Sequence, residues 1–215
     1  VATRYGLPLE DGRAAQQVAR SWLLTDGATP VLDRELGERR ARSAIMILLA
    51  LPGSAYIYQG DELGLHEVAD LPREVLEDPI ARRSTTEKGR DGCRVPLPWT
   101  SDRPSYGFGP GDAHLPQPDW LGGYAVSVQE HNRDSTLNLY QRALALRRHL
   151  FAGTELNWVD SEPSVLHFER SGGVGCVTNF GSQPIALRDG DVLLSSVELA
   201  DGWLPSDATA WLRMR

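Results

Sequence analysis

The chain has 215 residues, 41% of them hydrophobic and 24% charged, enough for one domain or one and a fraction and ordinary for a soluble globular protein. A formal charge of −7 and a pI near 5.2 argue against a surface built for nucleic acid or anionic membrane. No apolar run approaches the ~20 residues of a membrane span and no basic leader precedes an apolar core, so no nucleic-acid partner, no membrane and a cytoplasmic location are expected.

Residues 1–11 read as loop, with Gly6 and Pro8. Asp11 or Gly12 is placed to start a helix over residues 13–24, with Ala15, Val18, Ala19 and Trp22 as its apolar stripe. After a breaker cluster at 25–30, Leu32 or Asp33 begins a long helix ending near Leu51, polar in its first half and apolar in its second. Ala44, Ile45, Leu48 and Leu49 fall at helical spacing and mark a buried stripe. Pro52 and Gly53 stop the helix. Residues 54–58 (SAYIY) are short, rich in β-formers and bounded by glycines, so a buried strand is expected. A helix feeding such a strand is half of a parallel α/β repeat, and the acidic turn GDELGL lies where these folds put their chemistry.

A long irregular region over residues 66–134 comes next, punctuated by prolines, with one short helix expected over 72–76. Trp99, Tyr106, Phe108, Trp120 and Tyr124 favour an ordered, packed loop, since disordered segments carry few aromatics. Residues 135–151 read as a helix, with Arg147, Arg148 and His149 suiting its C-terminal dipole. From Gly153 onward β-rich runs alternate with turns (156–159, 165–170, 175–179, 185–187, 191–195 and 210–214), which predicts an antiparallel sheet or sandwich and a domain boundary near residue 152. Cys93 and Cys176 are expected as reduced thiols, and the scattered histidines at 66, 114, 131, 149 and 167 include no pair at i, i+4 that would suit zinc.

Three stretches carry a family likeness. Gly60, Asp61, Glu62, Leu63 and Gly64 form a G-[DE]-E-[IL]-G turn after the expected strand. Arg90, Asp91, Arg94, Val95, Pro96, Leu97 and Trp99 fit R-D-x-x-R-[TV]-P-[ML]-x-W, with the helix TLNLYQRALALRRHL beyond them. The opening TRYG resembles the residues that come directly after an N-H-D motif, which the chain itself does not contain. Together they resemble the α-glucosidases of the α-amylase superfamily, glycoside hydrolase family 13. Val95 and Leu97–Pro98 depart from the more usual T-P-M-Q, a difference that bears on which linkage is accepted and spares both arginines.

The resemblance implies the last helix–strand–helix part of a (β/α)8 TIM barrel over residues 1–152, including the loop 66–134, then a small antiparallel C-terminal β-sandwich over 153–215. It implies a retaining hydrolysis of short α-linked gluco-oligosaccharides of the maltose or isomaltose type, with no cofactor. Retention needs two carboxyls ~5 Å apart across the scissile bond. Asp61 and Glu62 are adjacent and diverge from an extended backbone, so they do not flank one bond together. The nucleophile, the acid/base and the third carboxylate are therefore expected upstream of Val1, and the missing N-terminal part of the polypeptide is an expected partner. No catalytic residue and no metal ligand is assigned within these residues. An eight-stranded barrel needs roughly 250 residues, so this chain alone is expected to be inactive and to lean on sequence it lacks.

Arg90 and Arg94 are the candidate substrate-binding residues. In resembling enzymes the first arginine of the motif reaches the bottom of the glucose pocket, a task that suits a fixed fork of donors with permanent charge. The plainer reading of Arg90 is an ion pair with Glu87 or Asp91. Asp61 and Glu62 read as structural carboxylates that accept backbone N–H bonds, Trp99 as a loop anchor rather than a sugar platform, and Trp158, Trp203 and Trp211 as packing. His66 and His114 are assigned nothing. Two rival functions stay open: a transglycosylating relative of the sucrose phosphorylase, sucrose isomerase or trehalose synthase type, and a non-catalytic scaffold or binding protein on the same fold.

Overall fold

The computed structural model describes residues 2–8, 14–151, 153–187 and 190–214. Helices come first: α1 (Thr3–Gly6), α2 (Ala15–Leu24), α3 (Arg34–Ala50), α4 (Pro79–Arg83), α5 (Val126–Gln129) and α6 (Thr136–Leu150). Strands come after them: β1 (Leu156–Trp158), β2 (Val165–Arg170), β3 (Val174–Asn179), β4 (Ile185–Ala186), β5 (Gly190–Ser195), β6 (Trp203–Leu204) and β7 (Ala208–Met214). The opening segment, expected as loop, contains α1, while the helix start expected at Asp11 or Gly12 lies outside the described residues. Asp33 begins α3 by accepting the Leu36 N–H at 2.9 Å, the capping role its side chain suits.

Two compact units interleave in sequence, Val1–Glu38 with Tyr58–Leu137 and Arg39–Ile57 with Asn138–Arg215. The boundary expected near residue 152 lies outside the described residues.

In the unit that contains the strands, an antiparallel sheet has the order β1-β2-β3-β7-β5, and β4 pairs with β6. Strand period two explains how both faces of the sheet are used. Val174, Cys176 and Trp211 point to one core with Ile45, Met46, Leu49, Leu139, Tyr140 and Ala143 from the helices. Val177, Ala208, Ala210 and Leu212 point to a second core with Ile185 and Leu204 from the small pair. Every residue of β3 is buried as a result. Met46 rather than Leu48 completes the helical stripe, and Leu48 is exposed, because the contact face is shifted by one residue, about 100° around the helix, from the expected one.

The strand expected over residues 54–58 is not formed. Among the described residues no strand precedes Leu156, so this segment has no edge to bond with, and Tyr56 is 86% exposed with Ile57 and Tyr58 also turned outward. Arg147, Arg148 and His149 lie in the last turn of α6, as expected, and Arg147 has a second task. It reaches the end of α3, donating through Nη1 to the Leu49 and Leu51 carbonyls and through Nη2 to that of Gly53 at 2.7 Å. Arg170 adds the Ala50 carbonyl, so two side chains satisfy carbonyls that a helix terminus leaves without partners.

The other unit holds the long segment over 66–134, which is ordered by packing rather than by long elements. Leu63, Leu65, Val68, Leu71, Leu76, Val95, Leu115 and Leu121 form its main core, with Tyr106, Trp120 and Tyr124 half-buried around it. Leu7, Val18, Ala19, Trp22, Leu23 and Ala69 form a second, smaller one, in which Leu23 takes the place expected for the exposed Ala15. Short 3-10 segments at Arg73–Val75, Asp91–Cys93, Pro104–Gly107 and Asp119–Tyr124 carry the chain between these anchors.

Candidate functional site

The arginine motif sits on the 3-10 turn Asp91–Cys93 and its flanks. Arg90 donates through Nε to Asp78 Oδ2 at 2.9 Å, and its backbone N–H reaches the same oxygen at 3.2 Å. Arg94 Nη1 meets Asp78 Oδ2 at 3.4 Å and Asp91 Oδ1 at 3.5 Å. Asp78 is buried while the Arg90 side chain is 64% exposed, so the acid is fixed and the base faces outward. The Ile80 N–H and the Arg90 guanidinium hold the Asp78 carboxyl below the usual carboxylate range, and Asp78 in turn raises Arg90. Asp91 is buried and accepts the Glu77 and Asp78 N–H groups, each at 2.8 Å. The sequence brings Arg90 and Arg94 together as candidates, and the structure joins them on Asp78. The partner of Arg90 is neither Glu87 nor Asp91, the two acids expected for an ion pair.

Gly92 lets this loop run close to its neighbour. A Cβ there would collide with the Val68 carbonyl, while the Val68 N–H donates to the Gly92 carbonyl at 3.0 Å. Cys93, half-buried and free, donates to the Arg90 carbonyl, and burial pushes its thiol up, away from a reactive thiolate. Burial also raises the Tyr58 phenol, which lies against Cys93 and Arg94. A cleft of about 480 Å³ opens beside Gly89, but its cations are paired: Arg4 with Glu67, Arg20 with Glu87 and Lys88 with Asp26. Another of about 520 Å³ lies along Arg103, Tyr106, Asp112 and Gln117, away from the arginine motif.

Asp61 and Glu62 hold the turn after Tyr58. Asp61 Oδ2 accepts the Tyr58 N–H at 3.3 Å and Glu62 Oε2 accepts that of Gly60 at 2.8 Å. His66, which carries no motif and was assigned no role, is buried between Glu38 and Thr3. The Glu67 N–H donates to Thr3 Oγ1 at 2.7 Å, so the Thr3 hydroxyl is free to donate to His66 Nδ1, and Nε2–H then faces Glu38 Oε1 at 3.3 Å. The Tyr124 hydroxyl donates to the same Glu38 oxygen. Burial acts to raise Glu38, but the bonds from His66 and Tyr124 outweigh it and its pKa falls, while burial and Glu38 together raise Tyr124. Arg34 lies over the Trp120 ring at 4.6 Å and completes the group.

Residues 28–153 match the model of the α-amylase catalytic domain. The chain belongs to the α-amylase family. A probable α-glucosidase of Rhizobium meliloti (strain 1021) is 38% identical over 152 residues, covering 68% of this chain and 27% of that protein. A trehalose synthase/amylase of Mycobacterium tuberculosis is 36% identical over 176 residues, covering 74% of this chain and 26% of its own length. The crystal structure of the α-glucosyl transfer enzyme XgtA superposes with a TM-score of 0.68 at 33% identity, covering 88% of this chain and 37% of that one. The chain thus spans about a quarter of the length of these curated relatives.

For a member of the α-amylase family, the residue that sequence reasoning passed over is Asp78. Its signal was present: an acid directly before a proline is a helix N-cap followed by its N1 residue, twelve positions ahead of Arg90. The cluster of Glu38, His66 and Tyr124 had no such signal, because its members are far apart in the chain and at no helical or strand spacing.

Proposed function

We propose that this chain is the closing part of the (β/α)8 catalytic barrel of an α-glucosidase, followed by a C-terminal β domain. The whole protein hydrolyses α-glucosidic bonds in short gluco-oligosaccharides such as maltose or isomaltose, with retention. In this reading Arg90 binds sugar hydroxyls, Arg94 lines the leaving-group side, and the carboxylates that act as nucleophile and acid/base belong to polypeptide outside these residues. The observation that carries it is an arginine held by one edge. Arg90 spends its Nε–H on buried Asp78 and keeps its four Nη–H donors on an exposed face, within a segment that matches the α-amylase catalytic domain. A neutral sugar ring offers hydroxyl acceptors that such a fork fits, and the match to a probable α-glucosidase supports the substrate class.

The test uses the intact protein with maltose, isomaltose and sucrose. The first product detected by proton NMR should be α-glucose, and Arg90→Ala should lower kcat/KM by about 100-fold, as loss of a positioning clamp does. A β-anomer as first product, or full activity in Arg90→Ala, overturns the reading. The likeness to a trehalose synthase favours one alternative, an isomerase on the same fold. Conversion of maltose to trehalose without net glucose release would establish it.

A further inference from the structure

We propose that Asp78 is a positioning residue: it fixes the Arg90 and Arg94 guanidiniums so that their outer donors meet one glucose unit in one orientation. This rests on the reading of Arg90 as a sugar contact and adds to it the residue that aims it. Asp78 is held before any ligand arrives. Its Oδ1 accepts the Ile80 N–H at 3.0 Å, capping α4, and Pro79 at the first helical position fixes the backbone direction. The other oxygen, Oδ2, takes the Arg90 N–H, the Arg90 Nε–H and one Nη–H of Arg94. One buried atom therefore sets the plane of one guanidinium and the reach of the next.

The loop returns the constraint. Asp91, which stands between the two arginines, accepts the N–H groups of Glu77 and Asp78, so each aspartate pins the segment that carries the other. Gly89 makes the approach possible. Its φ is +71°, and a Cβ there would stand 2.5 Å from Asp78 Cβ and 2.7 Å from Cγ, too close for any side chain. An ion pair built only for stability has no use for this asymmetry. The acid is buried and bonded from four sides, while Arg90 is anchored at Nε, so its plane is fixed and its Nη edge stays open to solvent.

The experiment is a double-mutant cycle in the intact protein with maltose as substrate. Asp78→Asn keeps an oxygen to cap α4 and places an amide where Arg90 needs an acceptor. It should lower kcat/KM by about 10- to 100-fold alone, and by clearly less in an Arg90→Ala background, where only the Asp78–Arg94 contact is left to lose. Guanidinium chloride at low millimolar concentration should restore part of the activity of Arg90→Ala when Asp78 is present, and none in the double variant. If Asp78→Asn fails to fold, Asp78→Ser retains the cap and loses the acceptor, and it takes the same place in the cycle. A loss from Asp78→Asn that persists undiminished without Arg90, or rescue that ignores residue 78, overturns the proposal. Full activity of Arg90→Ala refutes the sugar-contact reading itself, an outcome read before any change at Asp78.

Discussion

Arg170 and Arg90 place the same side chain in opposite surroundings. Arg170 is 2% exposed and donates to the carbonyls of Glu155, Ala50 and Gly153, with its guanidinium 5.6 Å from the Phe151 ring. Burial, and Arg147 nearby, lower its pKa, and the carbonyl dipoles offset that cost. Arg90 gives one N–H to a buried carboxylate and turns the rest of its guanidinium outward. The difference separates two uses of arginine. When each of the three nitrogens bonds to a backbone carbonyl and the side chain is buried, it is a staple shut away from any ligand. When a buried acid holds one edge, the remaining donors are oriented and free for a partner.

Arg170→Met should give the largest effect, because it keeps an apolar stem of similar length and removes every donor from the staple. Three carbonyls lose a partner at about 1 kcal/mol each, so stability should fall by about 3 kcal/mol. A urea titration with unchanged m-value checks it. A loss below about 1 kcal/mol would show that water replaces the guanidinium and would break the contrast with Arg90. Asp91→Ala should come next, at about 2 kcal/mol, for two charge-assisted backbone bonds removed from Glu77 and Asp78. The same variant sharpens the contrast, because it should also release Asp78 and, on the proposed reading of Arg90 as a sugar contact, weaken maltose turnover, which that reading does not tie to Arg170.

The helices and the antiparallel strands were legible because their cues are local. Asp33 caps α3, Pro52 and Gly53 end it, and the alternation of β2, β3 and β7 sends their large apolar residues to one of two cores. The strand expected at 54–58 was legible in composition and absent in structure, since a strand is a pairing and its β-formers met no edge. The motif singled out Arg90 and Arg94, and the fold brings both to Asp78. Asp78 and the group around His66 were not legible, because their roles come from contacts made by the folded loop rather than from any period in the chain. Arg147 shows the same limit: its position suits the end of its own helix, yet its donors go to α3.

The smallest effects should appear in acid, where two buried carboxylates of one unit pull in opposite directions. The folded state of Asp78 has a pKa below the usual carboxylate value, through the Ile80 N–H and Arg90. Its contribution is therefore complete above the unfolded value of about 3.9 and is lost as pH falls through the folded one. Burial raises Glu67 in spite of Arg4, so the folded chain takes up that proton before the unfolded chain does. Stability from Glu67 accordingly declines as pH rises from about 4.3 through its folded value. Glu67→Gln should remove that decline, leaving stability higher at pH 7 relative to pH 4 than in the parent, while Arg4, half exposed, loses little by losing its partner. Asp78→Asn should instead flatten the loss at the acid end. Urea midpoints measured from pH 3 to 7 resolve the two slopes. Equal shifts of the Glu67→Gln midpoint at pH 4 and pH 7 would mean that this carboxyl is not strained by burial, and that only the arginine side of the loop carries a charge held against solvent.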